Sequence, residues 1–174
     1  MHVQDAMKTR KSVRSYLDKP VEKEKIDHIL RAAHIAPSAM NLQEWRIVVV
    51  TDSSTIQKIV GGAVPGQKFI AEAPVLFVCC AETDKATMKC GHPRYAVDLS
   101  IAVDHMMLAA VEVGLGTCWI GGFTQLPVKN ILNIPEEIEV FALLPTGYPT
   151  DPDAVEKRRK SLDEIVCYDS WKFS

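Results

Sequence analysis

Residues 75–80 form an unbroken apolar run, VLFVCC, of the length of a single β-strand. A strand without a polar face must be covered on both sides, so this run predicts the central strand of a sheet with a layer of structure on each face. The chain has 174 residues, of which 47% are hydrophobic, and this is enough to build one such core but not two. We therefore expect a single domain over residues 1–174.

Helical and strand-like segments interleave along the rest of the chain. Apolar residues at helical spacing predict four helices, at 20–36, from 53 or 54 to 60, at 96–113 and at 128–132. Apolar runs rich in β-branched residues predict four strands, at 45–50, 75–80, 117–120 and 139–144. The glycine-rich stretch 61–66 predicts a turn. No linker marks a domain boundary.

Charge and cysteine content exclude several classes of protein. Twenty basic and 22 acidic residues give a formal net charge of -2, so no global positive field is available to bind nucleic acid or an anionic membrane. Five cysteines, two of them in the apolar run, do not suit a disulfide framework. No apolar stretch approaches the ~18 residues of a transmembrane helix, and the N-terminus lacks a signal core. We expect a cytoplasmic protein without a membrane or nucleic-acid partner.

Two short basic clusters are candidates for an anion site, at residues 10–14 and 157–160. Side chains alternate along a β-like segment, so Arg10, Ser12 and Arg14 would project together and offer two guanidinium groups and a hydroxyl to one phosphate. The alternative is that both clusters are ordinary solvated surface, as most lysines and arginines are. Charge alone does not decide between the two.

Residues 114–123, GLGTCWIGGF, contain neither of the glycine motifs typical of phosphate-binding loops. A strand that ends in Gly121 and Gly122 does let backbone N–H groups approach a flat ligand, because no Cβ stands in the way. A tight strand exit explains the glycine pair equally well. The five histidines show no metal-ligand spacing, so we expect no metal site, and no nucleophile motif is present.

Five separated segments, in order, resemble the FMN-dependent nitroreductase family. They are RKSVRSY (10–16), APSAMNLQEW (36–45), GLGTCWIGGF (114–123), LPTGYP (144–149) and RRKSLDEIV (158–166). The resemblance covers almost the whole chain. It implies an α+β sandwich with a mixed, mostly antiparallel central sheet flanked by helices, assembled as a homodimer with two FMN sites at the subunit interface.

The resemblance also implies three groups of cofactor-binding residues. The FMN phosphate and ribityl chain would be held by Arg10, Lys11, Ser12 and Arg14, completed by Lys157 or Arg159. The FMN of the partner subunit would be reached by Pro37, Ser38, Ala39, Met40 and Asn41, with Gln43 nearby. The isoalloxazine ring would lie along Trp119, Ile120, Gly121 and Gly122, with Gln67 as a further contact.

A flavin carries the redox chemistry itself, and the protein supplies binding, orientation and electrostatics. The implied function is reduction of nitroaromatics, quinones or related electron-poor acceptors by NADH or NADPH in a ping-pong cycle. Alternatives are a flavin carrier or sensor without turnover, and reductive dehalogenation on the same fold. The chain departs from the family at Gly121, where some members have an acidic residue, and at Glu44, where many have proline. Residues 82–94 predict a small lid or mobile loop.

Overall fold

A computed structural model describes residues 1–153 and 156–173. The apolar run lies in β2 (Val75–Ala81), all seven residues of which are buried. β1 (Trp45–Val50) and β4 (Glu139–Gly147) pair with its two edges, and β3 (Gly116–Thr117) pairs with the far edge of β4. The strand order is therefore β1-β2-β4-β3, and β2 is a central strand, as the sequence predicts.

Pairing between the four strands is antiparallel throughout. The parallel component of the expected mixed sheet is limited to one isolated bridge, between Ser12 and Thr117. Alternate residues of β2 point to opposite faces. Phe77 packs in the layer that contains α2 (Lys23–His34) and α4 (Arg94–Glu112). Leu76 and Val78 pack on the other face, against α3 (Ser53–Ala63) and α5 (Gln125–Leu132). The result is the α+β sandwich that the sequence implies.

β3 is shorter than the predicted strand 117–120, and Pro145 explains the difference. Cys118 donates its backbone N–H to the Pro145 carbonyl at 3.3 Å. Proline has no N–H to return, so the ladder is interrupted opposite Cys118. Pairing then resumes as an isolated bridge between Ile120 and Leu143. Residues 118–122 therefore remain extended along β4 without forming a regular strand.

The helices differ from their predicted bounds mainly at the ends. α2 begins at Lys23 rather than Pro20, α4 begins at Arg94 rather than Ala96, and α5 begins two residues before Pro127. α3 continues through the predicted turn as far as Ala63. Short helical elements that the apolar pattern did not reveal are α1 (Val3–Thr9) and the 3-10 turns Ala39–Asn41, Lys68–Glu72 and Leu162–Glu164. Across the described ranges, no helix is both long enough and apolar enough to cross a membrane.

Asp52, rather than the predicted Ser53 or Ser54, caps the N-terminus of α3. Its Oδ2 accepts hydrogen bonds from the Thr55 backbone N–H at 2.8 Å and from two hydroxyl groups, those of Ser54 and Thr55, at 2.6 Å each. These bonds favour the carboxylate and lower the pKa of Asp52 from 3.8 to about 2. The cap is therefore a charged one at neutral pH.

We expect the capping contribution of Asp52 to be complete above about pH 4, the unfolded-state pKa, and to be lost as the pH falls toward the folded-state pKa. An Asp52→Asn variant keeps a capping oxygen that does not titrate. The urea midpoint of the wild type should therefore fall more steeply than that of Asp52→Asn between about pH 4 and pH 2. If the urea midpoints of the two proteins fell equally between about pH 4 and pH 2, Asp52 would not be the charged cap of α3.

Candidate functional site

The chain after α1 runs beside β3 in an extended conformation. Ser12 forms the parallel bridge with Thr117, and Val13 donates its N–H to the Thr117 carbonyl at 2.9 Å. The Val13 side chain is buried directly over Gly116, where a Cβ would lie only 2.4 Å from Val13 Cγ2. Only glycine at this position allows segment 10–14 to lie so close to β3.

The segment that carries Arg10, Ser12 and Arg14 runs past the buried Cys118, because Ser12 and Val13 pair with Thr117. Burial raises the pKa of the Cys118 thiol, while the Arg14 guanidinium acts in the opposite direction. Ser12 and Arg10 lower the same pKa by smaller amounts. Val13 is buried, whereas Ser12 and Arg14 on either side of it are exposed, as the alternation of side chains in an extended segment predicts.

Lys157 and Arg159 add two further positive charges to this region. Lys157 donates a hydrogen bond to the Met7 carbonyl. Burial, together with the positive charges of Arg10 and Arg159, holds the pKa of Lys157 below its usual range. We call Arg10, Arg14, Lys157 and Arg159 the basic cluster.

No acidic side chain neutralises the basic cluster: none of the ion pairs within residues 1–153 and 156–173 includes any of its four members. Lys11 differs from them, because its ammonium group lies 3.5 Å from the Asp151 carboxylate and 2.6 Å from the Asp153 carbonyl. Four positive charges without acidic partners among the described residues favour binding of a phosphate. Lys11 is not part of the basic cluster, because its ammonium group is paired with Asp151.

An open backbone edge follows the basic cluster at residues 118–122. Ile120 exchanges both backbone hydrogen bonds with Leu143, at 2.9 and 3.1 Å. In an antiparallel ladder the neighbouring peptides point the other way, so the N–H groups of Trp119 and Gly121 face away from β4. The Ile120 side chain is buried in the core, whereas Trp119 is half-buried and packs edge-to-face on Phe141 at 5.7 Å.

Gln67 closes one end of this edge. Its side-chain amide donates to the Gly122 carbonyl at 3.2 Å. A Cβ on Gly122 would lie 3.6 Å from that amide nitrogen, and one on Gly121 would lie 3.8 Å from Trp119 Nε1. The glycine pair therefore leaves a backbone surface bare of side chains, bounded by a tryptophan and an amide.

The loop at residues 37–43 has a backbone that non-glycine residues rarely adopt. Met40, Asn41 and Gln43 have φ values of 52°, 56° and 51°, and each such residue costs of order 1–3 kcal/mol. Ser38 Oγ accepts the Gln43 backbone N–H at 3.1 Å, and the Gln43 side chain donates to Asn41 Oδ1 at 3.1 Å. Met40 is 76% exposed. Contacts with the rest of the protein must therefore stabilise this loop conformation.

One protomer does not bring all the predicted site residues together. The loop 37–43 leads into β1, whereas the basic cluster and the open edge lie beside β3. These strands are at opposite edges of the four-stranded sheet, about 14 Å apart at the usual strand spacing. Within one chain, the loop 37–43 and the basic cluster therefore belong to different edges of the sheet.

A buried charged network supports the loop, and sequence reasoning missed it. Arg94 pairs with Glu44 at 2.9 Å and with Asp84 at 2.8 Å, and the Arg94 guanidinium holds the pKa of Glu44 below its usual range. Asp98 accepts the Ala39 backbone N–H at 3.0 Å. One signal was available, because Asp98 is a carboxylate at a buried position of α4, where most of the buried residues are apolar. The pairing of residues 44 and 94 has no sequence signature.

The chain is similar to known proteins of one family. The model of the Nitroreductase family matches residues 7–61 and 60–148. An Archaeoglobus fulgidus protein with the provisional name NADH dehydrogenase/NAD(P)H nitroreductase is 35% identical over 147 residues, 82% of this chain and 83% of its own. A Bacillus subtilis protein named NAD(P)H FMN reductase is 31% identical over 165 residues, 85% of this chain and 66% of its own.

The solved structures give the same result. The crystal structure of a nitroreductase family protein from Clostridium difficile superimposes with a TM-score of 0.86 at 34% identity, covering 98% of this chain and 100% of that one. The overall fold is thus shared with proteins of one class. The chain belongs to the nitroreductase family, as the five sequence motifs implied.

Proposed function

We propose that the protein is an FMN-dependent oxidoreductase that uses NADH or NADPH to reduce nitroaromatics, quinones or related electron-poor acceptors. The observation that carries the proposal is the unneutralised basic cluster beside the open edge at Gly121. Bound FMN would supply the redox chemistry, accepting a hydride from the pyridine nucleotide and passing electrons to the acceptor. The residues of the chain would then bind FMN, orient it and stabilise the charge that develops on it.

The phosphate of FMN fits the basic cluster. Arg10 and Arg14 would donate charge-assisted hydrogen bonds to its oxygens, and the Ser12 hydroxyl would donate a third. Lys157 or Arg159 would complete the neutralisation. Because these cations have no acidic partners among the described residues, no existing ion pair must break when the phosphate binds.

The isoalloxazine ring fits the open edge. The outward N–H groups of Trp119 and Gly121 would face the ring, and the missing Cβ atoms of Gly121 and Gly122 would let it approach the backbone. Fixed N–H donors and nearby cations stabilise negative charge that develops on reduction, without reorganisation at that moment. No side chain is required as acid or base in this scheme.

We also propose that the site is completed in a homodimer. The loop 37–43 leads into the sheet edge opposite the basic cluster, and a second copy of the chain would supply this loop to the FMN site. Val3, Met7 and Ile35 are exposed at 65%, 51% and 77% and line an apolar groove of about 340 Å³. Burying such a groove against a second copy would remove apolar surface from water.

An absorption spectrum of the purified protein, taken with light scattering, tests the proposal first. We expect flavin bands near one FMN per subunit and the mass of a dimer. Anaerobic addition of NADH or NADPH should then bleach the flavin band, and a nitroaromatic or quinone should restore it. Flavin that neither nucleotide bleaches would indicate a carrier or sensor, and a colourless monomer that takes up no added FMN would overturn the assignment.

A further inference from the structure

The loop at residues 38–43 is held at both of its ends by the first turns of α4. At its start, the Ala39 backbone N–H donates to Asp98 Oδ1 at 3.0 Å. At its end, Glu44 directly follows Gln43 and accepts two hydrogen bonds from the Arg94 guanidinium, at 2.9 and 3.1 Å. Arg94 and Asp98 are four residues apart on α4, so they project from the same side of the helix.

Asp98 is poorly placed to stabilise the fold. It is 2% exposed, and within the described parts of the chain its Oδ2 has no hydrogen-bond partner. A buried carboxylate with one satisfied oxygen carries a desolvation cost that a single hydrogen bond offsets only in part. Asp98 Oδ1, however, accepts the N–H of Ala39, the residue directly before the first left-handed residue, Met40.

The bidentate pair at the other end is also buried, since Glu44 and Arg94 are 8% and 9% exposed. A two-pronged contact fixes direction as well as distance. Three left-handed residues lie between the two anchored points. Without such restraints a loop of this kind relaxes toward commoner conformations.

We propose that Asp98 and Arg94 are positioning residues, which fix the loop 38–43 in the conformation that binds FMN of the second subunit. The inference rests on the proposed function, because it assigns this loop to the FMN site. It adds a role for two charged residues of α4 that do not themselves belong to the basic cluster or the open edge.

Three variants test the inference by FMN titration and thermal unfolding. Asp98→Ala removes the acceptor and suits the interior of a helix. Asp98→Asn keeps an acceptor oxygen for the Ala39 N–H. Asp52→Ala is the matched control, because it also removes a carboxylate that accepts one backbone N–H, but at the cap of α3. We expect at least a tenfold rise in the FMN dissociation constant for Asp98→Ala and less than threefold for Asp98→Asn.

Asp52→Ala should lower the melting temperature and leave the FMN dissociation constant unchanged. A folded Asp98→Ala protein with wild-type FMN affinity would overturn the inference. If Asp98→Ala does not fold, Glu44→Ala provides the test. An FMN dissociation constant raised severalfold in Glu44→Ala would support the inference, and an unchanged FMN dissociation constant would overturn it. A wild type that binds no FMN at all would instead refute the proposed function, so the two failures are distinguishable.

Discussion

Replacing Arg10 and Arg14 together with alanine is expected to raise the dissociation constant of FMN by at least about 100-fold. A hydrogen bond to a charged group contributes about 1.5–3 kcal/mol, so losing two removes about 3 kcal/mol or more, and each 1.4 kcal/mol is a factor of about ten. The single variant Arg14→Ala should show roughly the square root of that effect. Both guanidinium groups lack acidic partners among the described residues, so the fold should tolerate their loss.

Fluorescence titration with FMN measures this effect, and its salt dependence adds a second criterion. If phosphate binding is electrostatic, added salt should weaken binding to the wild type more than binding to the double variant. Lys58→Ala is a control, because Lys58 is an exposed cation on α3 and its loss changes the net charge without touching the basic cluster. Unchanged FMN affinity in the double variant would remove segment 10–14 from the phosphate site.

The sequence predicts those parts of this molecule that depend on local pattern. The apolar run 75–80 marks a strand buried on both faces, and the regular spacing of apolar residues marks α2 and α4. Alternation along residues 10–14 places Arg10, Ser12 and Arg14 on one side. These features follow from backbone geometry, which is the same in every chain.

Features that depend on a distant partner could not be predicted in this way. The short β3 reflects the missing N–H of Pro145, which matters only because the two strands are neighbours. Lys11 is paired with Asp151, 140 positions away in sequence. The contact of Asp98 with Ala39 likewise exists only after α4 has packed beside the loop. Each of these depends on tertiary structure rather than on local propensity.

The family motifs that the proposed function assigns to one FMN site come from both edges of the sheet. The motif at 10–16 and the motif at 114–123 meet beside β3, whereas the motif at 36–45 leads into β1. Sequence resemblance identifies all three but does not reveal that they lie at opposite edges. Under the proposed function, this separation is the physical reason for a dimer.

Replacing Gly116 with alanine is expected to destabilise the protein and to weaken FMN binding at the same time. The new Cβ would lie 2.4 Å from Val13 Cγ2 and 2.9 Å from Val13 Cβ, and the second atom cannot rotate away. Segment 10–14 must therefore move off β3, taking Arg10 and Arg14 with it. Overpacking of this kind costs about 1–3 kcal/mol, and urea unfolding together with FMN titration measures both consequences.

Gly61→Ala provides a matched control for this substitution. No atom lies within 4 Å of a Cβ at Gly61, and this glycine is inside α3. Alanine there should raise the free energy of unfolding by about 0.5–1 kcal/mol, because glycine is a poor helix former. FMN affinity should be unaffected. The same chemical change is thus expected to have opposite effects on stability at the two positions.

A double-mutant cycle with Val13→Ala separates steric conflict from other effects of Gly116→Ala. Removing the two Cγ atoms of Val13 relieves the contacts at 2.4 and 3.2 Å and leaves only the one at 2.9 Å. The double variant should therefore be more stable than the sum of the two single effects predicts, by about 0.5 kcal/mol or more. It should also recover part of the lost FMN affinity, because segment 10–14 can lie closer to β3 than in Gly116→Ala alone. Strict additivity would show that Val13 does not transmit the change at Gly116 to the phosphate site.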